Sequence, residues 1–473
     1  MSQNKIVKNT FFYSIGELLP KVISLLLLPI YTRFLTPEDY GIISYTQTII
    51  TFLSVLGTFA LNTYVLRFYF IHKDDNERRT LLGTTQLFII LLNVIILLFA
   101  FLVMPSVIDN YHIQVPWYPY FLFAFVINFL DCFSIIPKVV YRIRQDAVKF
   151  VILGLSRTIL TVVLTLYLVV FLKRGLIGTF QAQLYVNIPY VLVFVCIMQK
   201  YAKWRINWQY LKEGIDFSAP LIPGAICYML ISISDRIILE RNVGIGELGV
   251  YNIACQMSLA LSIVIRSGYR SVEPLIFQEY GKAGYFVFIR KIQSVFFSTI
   301  YISALAITLF SQEIFQLMTT ENYYSGYLLV PAVIVGVIMT GQNMIYGGLL
   351  QGEGRTKLQG LATLMGAMVS VVLNLTLVPL YGIYAAAVTS SISFFIMNTI
   401  YFFAMTFPEK SMYKETILVL SIPTISYPLF ILLGGISIIG IVLKIFAIIL
   451  YALLAIRLLN VNFTYVKSLL IRK

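Results

Sequence analysis

Apolar runs of about twenty residues recur along the whole chain and are separated by short polar loops. A run of this length, folded as an α-helix, spans the hydrocarbon core of a lipid bilayer. The strands of a membrane β-barrel would be shorter and would alternate apolar with polar residues. The long apolar runs therefore exclude a β-barrel. It predicts fourteen spans, at 11–31, 40–66, 81–104, 118–137, 150–172, 176–198, 215–239, 248–272, 292–311, 327–351, 358–379, 382–405, 415–433 and 436–458. We therefore expect an all-α polytopic membrane protein.

The basic residues between the spans determine the expected orientation. With the amino terminus in the cytoplasm, 24 of the 35 lysines and arginines lie in cytoplasmic segments and 4 lie on the opposite side. Because cytoplasmic loops of membrane proteins are rich in Lys and Arg, this asymmetry predicts that both termini are cytoplasmic. The dispersal of the net charge of +14 over many short loops argues against nucleic-acid binding.

The composition agrees with a membrane protein, since 59% of the residues are hydrophobic and 12% are charged, against about 25% charged in soluble proteins. The four cysteines lie in apolar runs and form no CxxC motif, which is typical of small reduced core residues. The sequence has no nucleotide-binding motif of the GxxxxGK[ST] type and too few histidines for a metal site. We expect no cofactor and no enzyme activity.

The chain repeats itself at a spacing of about 208 residues. The segment TRFLTPEDYGIISYTQTI aligns with ERNVGIGELGVYNIACQM, which places Gly41 over Gly249. Six spans of the first half match six of the second in the same orientation, and repeats of this kind build transporters whose halves rock against each other. We expect one six-helix lobe over 1–205, a second over 206–408, and two additional helices with a cytoplasmic tail over 409–473.

The first span contains three residues that are unfavourable in a membrane helix. Glu17 and Lys21 are four residues apart and can pair across one turn, and Pro20 can bend the helix. A charge near the bilayer centre costs roughly 2.5–3.5 kcal/mol on insertion scales, which favours a functional reason for it. We predict that Glu17 holds Lys21 in place, that Lys21 binds an anionic group, and that Pro20 acts as a hinge.

Later spans contain further ionisable residues, namely Asp131, Arg157, Asp235, Arg236, Arg266, Arg270 and Lys444. Their excess of cations suits an anionic substrate such as a pyrophosphate head group, because Arg and Lys supply both donors and positive charge. We predict substrate binding by the four arginines, and a role as charge partner or coupling-ion ligand for Asp131 and Asp235. A plain salt bridge to Glu240 is the alternative for Arg236, and snorkelling to the interface is the alternative for Arg270. Lys444 lies outside the repeat and its role stays open.

Several segments resemble polysaccharide transporters of the Wzx type, which belong to the multidrug, oligosaccharidyl-lipid and polysaccharide (MOP) exporter superfamily. LLPIYTRFLTPEDYGIISY is similar to the first outer loop of these transporters, and SDRIILERNVGIGELGVYNIA, with Asp235 at the usual acidic position, resembles the opening of their second half. GEGRTKLQG followed by VVLNLTLVPLYGIYAAAVTSSIS resembles their eleventh and twelfth helices. The resemblance covers the whole chain.

The resemblance implies a flippase that moves undecaprenyl-pyrophosphate-linked oligosaccharide repeat units from the cytoplasmic to the outer leaflet of the bacterial inner membrane by alternating access. Such units are precursors of O-antigen, capsule or exopolysaccharide. It also implies two six-helix lobes, a V-shaped central cavity lined with cations, and extra C-terminal helices. The implied partners are the lipid-linked oligosaccharide, the lipid bilayer and the polysaccharide polymerase machinery. A coupling proton or sodium ion, the membrane potential and the pull of downstream polymerisation are all compatible energy sources.

Other functions stay open at the level of the sequence. A drug or organic-cation antiporter of the same superfamily would rely on acidic residues, of which Glu17, Asp131 and Asp235 are available. A membrane-embedded glycan polymerase or ligase would carry a sizeable outer loop, whereas the outer loops here, such as 105–117, are short. The identity of the glycan and the energy source are not encoded in any motif.

Overall fold

The computed structural model describes residues 3–406, 412–433 and 437–461, and these ranges contain helices and no strand. The α-helices are α1 (Gln3–Leu26), α2 (Leu28–Phe34), α3 (Pro37–Thr58), α4 (Leu61–Phe68), α5 (Asp75–Tyr111), α6 (Leu122–Asp131), α7 (Ile135–Ile143), α8 (Ala147–Leu166), α9 (Gly175–Tyr201), α10 (Trp208–Ser218), α11 (Ile222–Asn242), α12 (Ile245–Gln278), α13 (Tyr285–Leu309), α14 (Ser311–Met318), α15 (Val330–Gly352), α16 (Thr356–Ala404), α17 (Met412–Leu432) and α18 (Ile438–Leu458). Short 3₁₀ or π segments lie at Trp117–Phe121, Cys132–Ser134, Tyr167–Phe171, Ala219–Leu221 and Glu321–Leu329. The predicted all-α fold is confirmed.

Twelve helical stretches of the described ranges are long and apolar enough to cross a membrane. One of them, Thr356–Ala404, bends at Gly382 and contains the predicted span 358–379 and all but the last residue of the predicted span 382–405. Gly382 has φ 58° and ψ −137°, a conformation that side-chain-bearing residues rarely adopt, which explains glycine at this turn. The first predicted span, 11–31, is helical in α1 and α2 but is not among the twelve. The protein is a multi-pass membrane protein.

The start of α3 shows how the sequence sets a helix boundary. The hydroxyl of Thr36 accepts a hydrogen bond from the backbone N–H of Asp39 at 3.3 Å, and the Asp39 carboxylate accepts one from the backbone N–H of Thr36 at 2.9 Å. Pro37 occupies the first helical position, where a missing N–H costs nothing. The first backbone N–H groups of a helix have no acceptor within the helix. This reciprocal cap supplies acceptors for two of them and fixes where the second span begins.

The chain divides into two compact units, the first formed by residues 1–229 with 244–249 and the second by 230–243 with 250–473. In the first unit, α4, α5 and α7 share a core of buried apolar side chains that includes Leu61, Val65, Leu81, Ile89, Ile136 and Val140. Cys132 is buried in the same core, as expected for a small apolar residue. The expectation of a core position is wrong for Cys196, which is exposed, and Cys227 and Cys255 are half-buried. The lobe boundaries 1–205, 206–408 and 409–473 stay a prediction.

Within the second unit, α17 and α18 pack on α13, and α17 also packs on α15. Each of the two helices carries one buried polar side chain that pairs with the rest of the unit. Glu415 of α17 accepts a hydrogen bond from the hydroxyl of Tyr346. On α18, the ammonium of Lys444 donates to Glu313 at 2.6 Å, and the Lys444 side chain is 1% exposed. The open role of Lys444 is therefore explained by an ion pair that attaches α18.

Candidate functional site

In the first unit, the charged residues predicted at 131 and 157 meet and form a cluster with a third side chain. The guanidinium of Arg157 donates to the carboxylate of Asp131 and also to the amide oxygen of Asn187, at 2.6 Å and 3.0 Å. The amide nitrogen of Asn187 donates to the same Asp131 oxygen at 3.0 Å. The three residues therefore form a closed triangle of hydrogen bonds, which we call the first cluster.

Three helices bring the first cluster together. Asp131 is the last residue of α6, Arg157 lies midway along α8, and Asn187 lies on α9, which packs against both of the others. Lys138 lies close enough to interact electrostatically with Asp131 and Arg157. Because an unpaired charge inside a membrane is costly, the pairing stabilises both ions where they lie.

The first cluster is not sealed from its surroundings. Asn187 is buried, whereas the side chain of Arg157 is 20% exposed and that of Asp131 is 45% exposed. Both charged side chains are therefore partly accessible from outside the protein. Such a paired but accessible charge is typical of binding sites in transporters.

In the second unit, the neighbouring residues Asp235 and Arg236 of α11 form the second cluster together with Tyr251 of α12. The Tyr251 hydroxyl donates to Asp235 at 2.5 Å, and the Arg236 guanidinium donates to Asp235 at 3.3 Å and to the backbone carbonyl of Ser232 at 2.6 Å. Asp235 is 1% exposed, and the Arg236 side chain is 20% exposed. The buried carboxylate thus orients a guanidinium that stays partly accessible. A salt bridge from Arg236 to Glu240 stays the alternative that the sequence left open.

A neutral network lies next to the second cluster. The amide nitrogen of Asn374 donates to the hydroxyl of Ser234 at 3.0 Å, and Thr389 donates to the amide oxygen of Asn374 at 2.6 Å. Asn374 and Thr389 lie on either side of the bend in α16, so these bonds join both parts of that helix to α11. Interhelical hydrogen bonds of this kind are the usual use of Asn and Ser in membrane spans.

The other predicted residues are placed as follows. Lys21 is half-buried on α1, with Pro20 beside it inside the same helix. The side chain of Glu17 lies outside the described residues, so its pairing with Lys21 stays a prediction. Arg266 is exposed and Arg270 half-buried, one turn apart on α12 in the second unit. Arg266 therefore offers an accessible cation, and the snorkelling alternative for Arg270 stays open.

Sequence reasoning missed two residues that complete these clusters. Asn187 is a single polar residue in the apolar run LYVNIPYVLV, and that isolation is a signal that could have marked it. Tyr251 lies 16 residues beyond Asp235 and looks like any aromatic residue of an apolar span, so no sequence signal distinguishes it. Both are recognised only from the packing of their helices.

The sequence of this chain is similar to those of known proteins. The sequence profile of the family described as "Polysaccharide biosynthesis protein" matches residues 6–278 of this chain. The Lsg locus protein 1 of Haemophilus influenzae is 20% identical over 280 residues, which make up 58% of this chain and 66% of the length of that relative.

Solved structures of transporters share the fold. The lipid II flippase MurJ in an inward closed conformation matches with a TM-score of 0.71 and 13% identity, covering 96% of this chain and 99% of that one. A multidrug resistance MATE family transporter of the MOP superfamily, in an inward-facing conformation, matches with a TM-score of 0.65 and 13% identity, covering 87% of this chain and 99% of that one. At such low identity the similarity establishes the fold and no more.

Proposed function

We propose a flippase function for this chain, which belongs to the polysaccharide biosynthesis protein family. Its substrate is an undecaprenyl-pyrophosphate-linked oligosaccharide repeat unit, carried from the cytoplasmic to the outer leaflet of the bacterial inner membrane by alternating access. The product serves the synthesis of O-antigen, capsule or exopolysaccharide. Both termini lie in the cytoplasm, in keeping with the distribution of basic residues.

The observation that carries the proposal is the presence, within spans of each unit, of an arginine held by a carboxylate and left partly accessible. Arg157 and Arg236 are each oriented by an aspartate and by a further hydrogen bond, so their donors point in fixed directions. A fixed guanidinium matches the oxygens of a phosphate group with two parallel hydrogen bonds. Arg266, exposed on α12, adds a third cation, and Lys21 and Arg270 complete the proposed set of head-group ligands.

The carboxylates have a second proposed role. Asp235 is enclosed by Tyr251 and Arg236 and acts as a positioning residue for that arginine. Asp131 is more accessible and is the better candidate for a coupling proton or sodium ion, with Glu17 as a further candidate from the sequence. Coupling requires that the ion and the substrate change each other's affinity, and an accessible carboxylate is a group that can bind a proton or a sodium ion. The polymerase machinery that consumes the flipped unit is the proposed protein partner.

One observation favours a second candidate function, an organic-cation antiporter. In the first cluster the side chain of Asp131 is more exposed than that of Arg157, at 45% against 20%, which leaves room for a cation to pair with Asp131. The fold is also that of a multidrug resistance MATE family transporter. This function predicts that Asp131→Asn abolishes transport of a cationic dye, while removal of Arg157 or Arg236 has a smaller effect.

The deciding experiment uses the purified protein in lipid vesicles that contain a polyprenyl-pyrophosphate oligosaccharide. Movement is measured as the fraction of the sugar that a membrane-impermeant lectin or periodate can reach over time. Vesicles with protein should expose sugar faster than protein-free vesicles, and Arg157→Gln should abolish the difference. No movement of the lipid-linked sugar, together with uptake of an organic cation against its gradient, would replace the flippase by the antiporter.

A further inference from the structure

The segment 202–207, which joins α9 to α10, lies fixed on the first unit. The backbone N–H of Lys203 donates to the carbonyl of Arg79 at 2.9 Å. The hydroxyl of Thr84 donates to the carbonyl of Arg205 at 2.9 Å and accepts from the backbone N–H of Asn207 at 3.0 Å. Three backbone groups of a connecting loop are thus hydrogen-bonded to the first turns of α5, which an extended, mobile linker would not show.

A glycine makes this close approach feasible. A Cβ added at Gly83 would lie 1.7 Å from the carbonyl oxygen of Lys203, so only glycine lets the loop lie against α5. Helix α10 then continues along the unit, where Tyr64 donates to the Glu213 carboxylate at 2.9 Å and to the carbonyl of Tyr210 at 3.0 Å. The loop and the helix after it therefore form one rigid surface.

The outward side of this surface combines large apolar and basic side chains. Trp204, Ile206 and Trp208 are 39%, 41% and 75% exposed. The exposed cations between and beside them are Lys203, Arg205 and Lys212. We call these six residues the linker patch. The segment 200–212 contains no aspartate or glutamate. The next residue, Glu213, accepts a hydrogen bond from Tyr64 and lies 3.9 Å from His72, so its carboxylate is engaged by the first unit.

We propose that the linker patch binds the head groups of anionic phospholipids at the cytoplasmic surface of the membrane. Indole rings favour the boundary between hydrocarbon and water, because the ring is apolar and its N–H is polar. Lys and Arg beside them pair with the phosphates of lipid head groups. The basic residues predict that this side of the protein faces the cytoplasm. The site goes beyond the proposed transport, because it binds lipid of the surrounding bilayer and not the transported molecule.

The tryptophans supply a direct probe of the site. The chain contains three tryptophans, and Trp117→Phe leaves only Trp204 and Trp208 as emitters. Trp117 packs against the rings of Phe101 and Phe125, so phenylalanine keeps an aromatic ring in that place. This variant is reconstituted with phosphatidylcholine and phosphatidylglycerol at equal mole fractions. In one sample only the phosphatidylcholine carries bromine on its acyl chains, and in the other only the phosphatidylglycerol does.

Bromine quenches indole fluorescence on contact, so the two samples report which lipid lies at the patch. We expect brominated phosphatidylglycerol to quench at least about twofold more than brominated phosphatidylcholine, and added salt to reduce the difference. Arg205→Gln with Lys212→Gln should make the two lipids equivalent. The matched control, Lys149→Gln with Lys282→Gln, removes the same charge from other exposed cytoplasmic positions and should keep the preference.

Equal quenching by the two lipids in the Trp117→Phe protein itself would overturn the proposal, since the patch would then lie in the bilayer without selecting a head group. Absence of quenching by either lipid would also overturn it, and would place the patch against water or another protein. None of these outcomes depends on transport, so failure of this inference is distinguishable from failure of the proposed flippase function.

Discussion

Gly41 and Gly249 occupy equivalent positions of the internal repeat, and each lies against the backbone that precedes the other. An ideal Cβ on Gly41 would lie 1.9 Å from the carbonyl oxygen of Ile245, and one on Gly249 would lie 1.8 Å from that of Pro37. Pro37 and Ile245 are also equivalent, since both pairs are 208 residues apart. The starts of α3 and α12 thus make a reciprocal contact, which lies within the first compact unit.

The reciprocal contact predicts that neither glycine tolerates a side chain. In Gly249→Ala the new methyl group would meet a backbone carbonyl, which cannot rotate away, and we expect a loss of about 3 kcal/mol, the upper end of the range for overpacking. Gly41→Ala should behave in the same way. Thermal unfolding of the purified variants in detergent measures the effect.

The control is Gly154→Ala, where an added Cβ meets nothing within 4 Å and helix propensity favours alanine by about 1 kcal/mol. A melting temperature of Gly249→Ala equal to that of the wild type would refute the contact.

The first cluster predicts that Arg157 cannot be replaced by lysine. A guanidinium donates to Asp131 and Asn187 at once, whereas an ammonium is a point charge without the planar fork. We expect Arg157→Lys to lower the rate of lipid-linked oligosaccharide movement by about tenfold or more, although the charge is kept. Arg142→Gln, which removes an exposed cation of α7, is the control and should transport normally. Full activity of Arg157→Lys would mean that charge alone matters at this position.

The second cluster predicts energetic coupling between Asp235 and Tyr251. Tyr251→Phe removes one donor from a buried carboxylate and should lower the free energy of unfolding by about 1–3 kcal/mol. Asp235→Asn should also destabilise the protein, because Arg236 loses its counter-charge. Since both changes remove the same hydrogen bond, the double variant should be less destabilised than the two single effects added together. Thermal unfolding of the four proteins completes the cycle, and strict additivity would show that the hydroxyl and the carboxylate do not interact.

The ion pair of α18 predicts a large effect from one side chain and its rescue by a second change. Lys444→Met leaves the carboxylate of Glu313 without its partner and should cost about 3 kcal/mol or more. Replacing both, with Lys444→Met and Glu313→Gln, removes the unpaired charge and should restore much of the stability. Melting temperatures in detergent report both effects. If the double variant were as unstable as Lys444→Met alone, the loss would come from packing and not from charge.

The sequence by itself determined the helical fold of this protein. The lipid core offers no hydrogen-bond partners, so the backbone N–H and C=O groups of an apolar run of membrane length must bond to each other. Helices therefore form wherever these runs lie. Local signals such as Thr36 and Asp39 at the start of α3 are also readable without a structure, because their hydrogen bonds span only three residues. The repeat spacing likewise marked Gly41 and Gly249 as equivalent before their contact was known.

Only the tertiary structure decided which charges meet. The sequence indicates that Arg157 needs a partner in a membrane span, but Asp131 lies 26 residues before it and Asn187 lies 30 residues after it. Arg236 has two acidic residues near it in sequence, Asp235 and Glu240. The packing of α12 against α11 brings the Tyr251 hydroxyl to Asp235, which also accepts from Arg236. The low dielectric of a membrane requires that charges be paired, and this requirement is visible in composition. The identity of each partner depends on how helices distant in sequence pack side by side, and no local pattern contains that information.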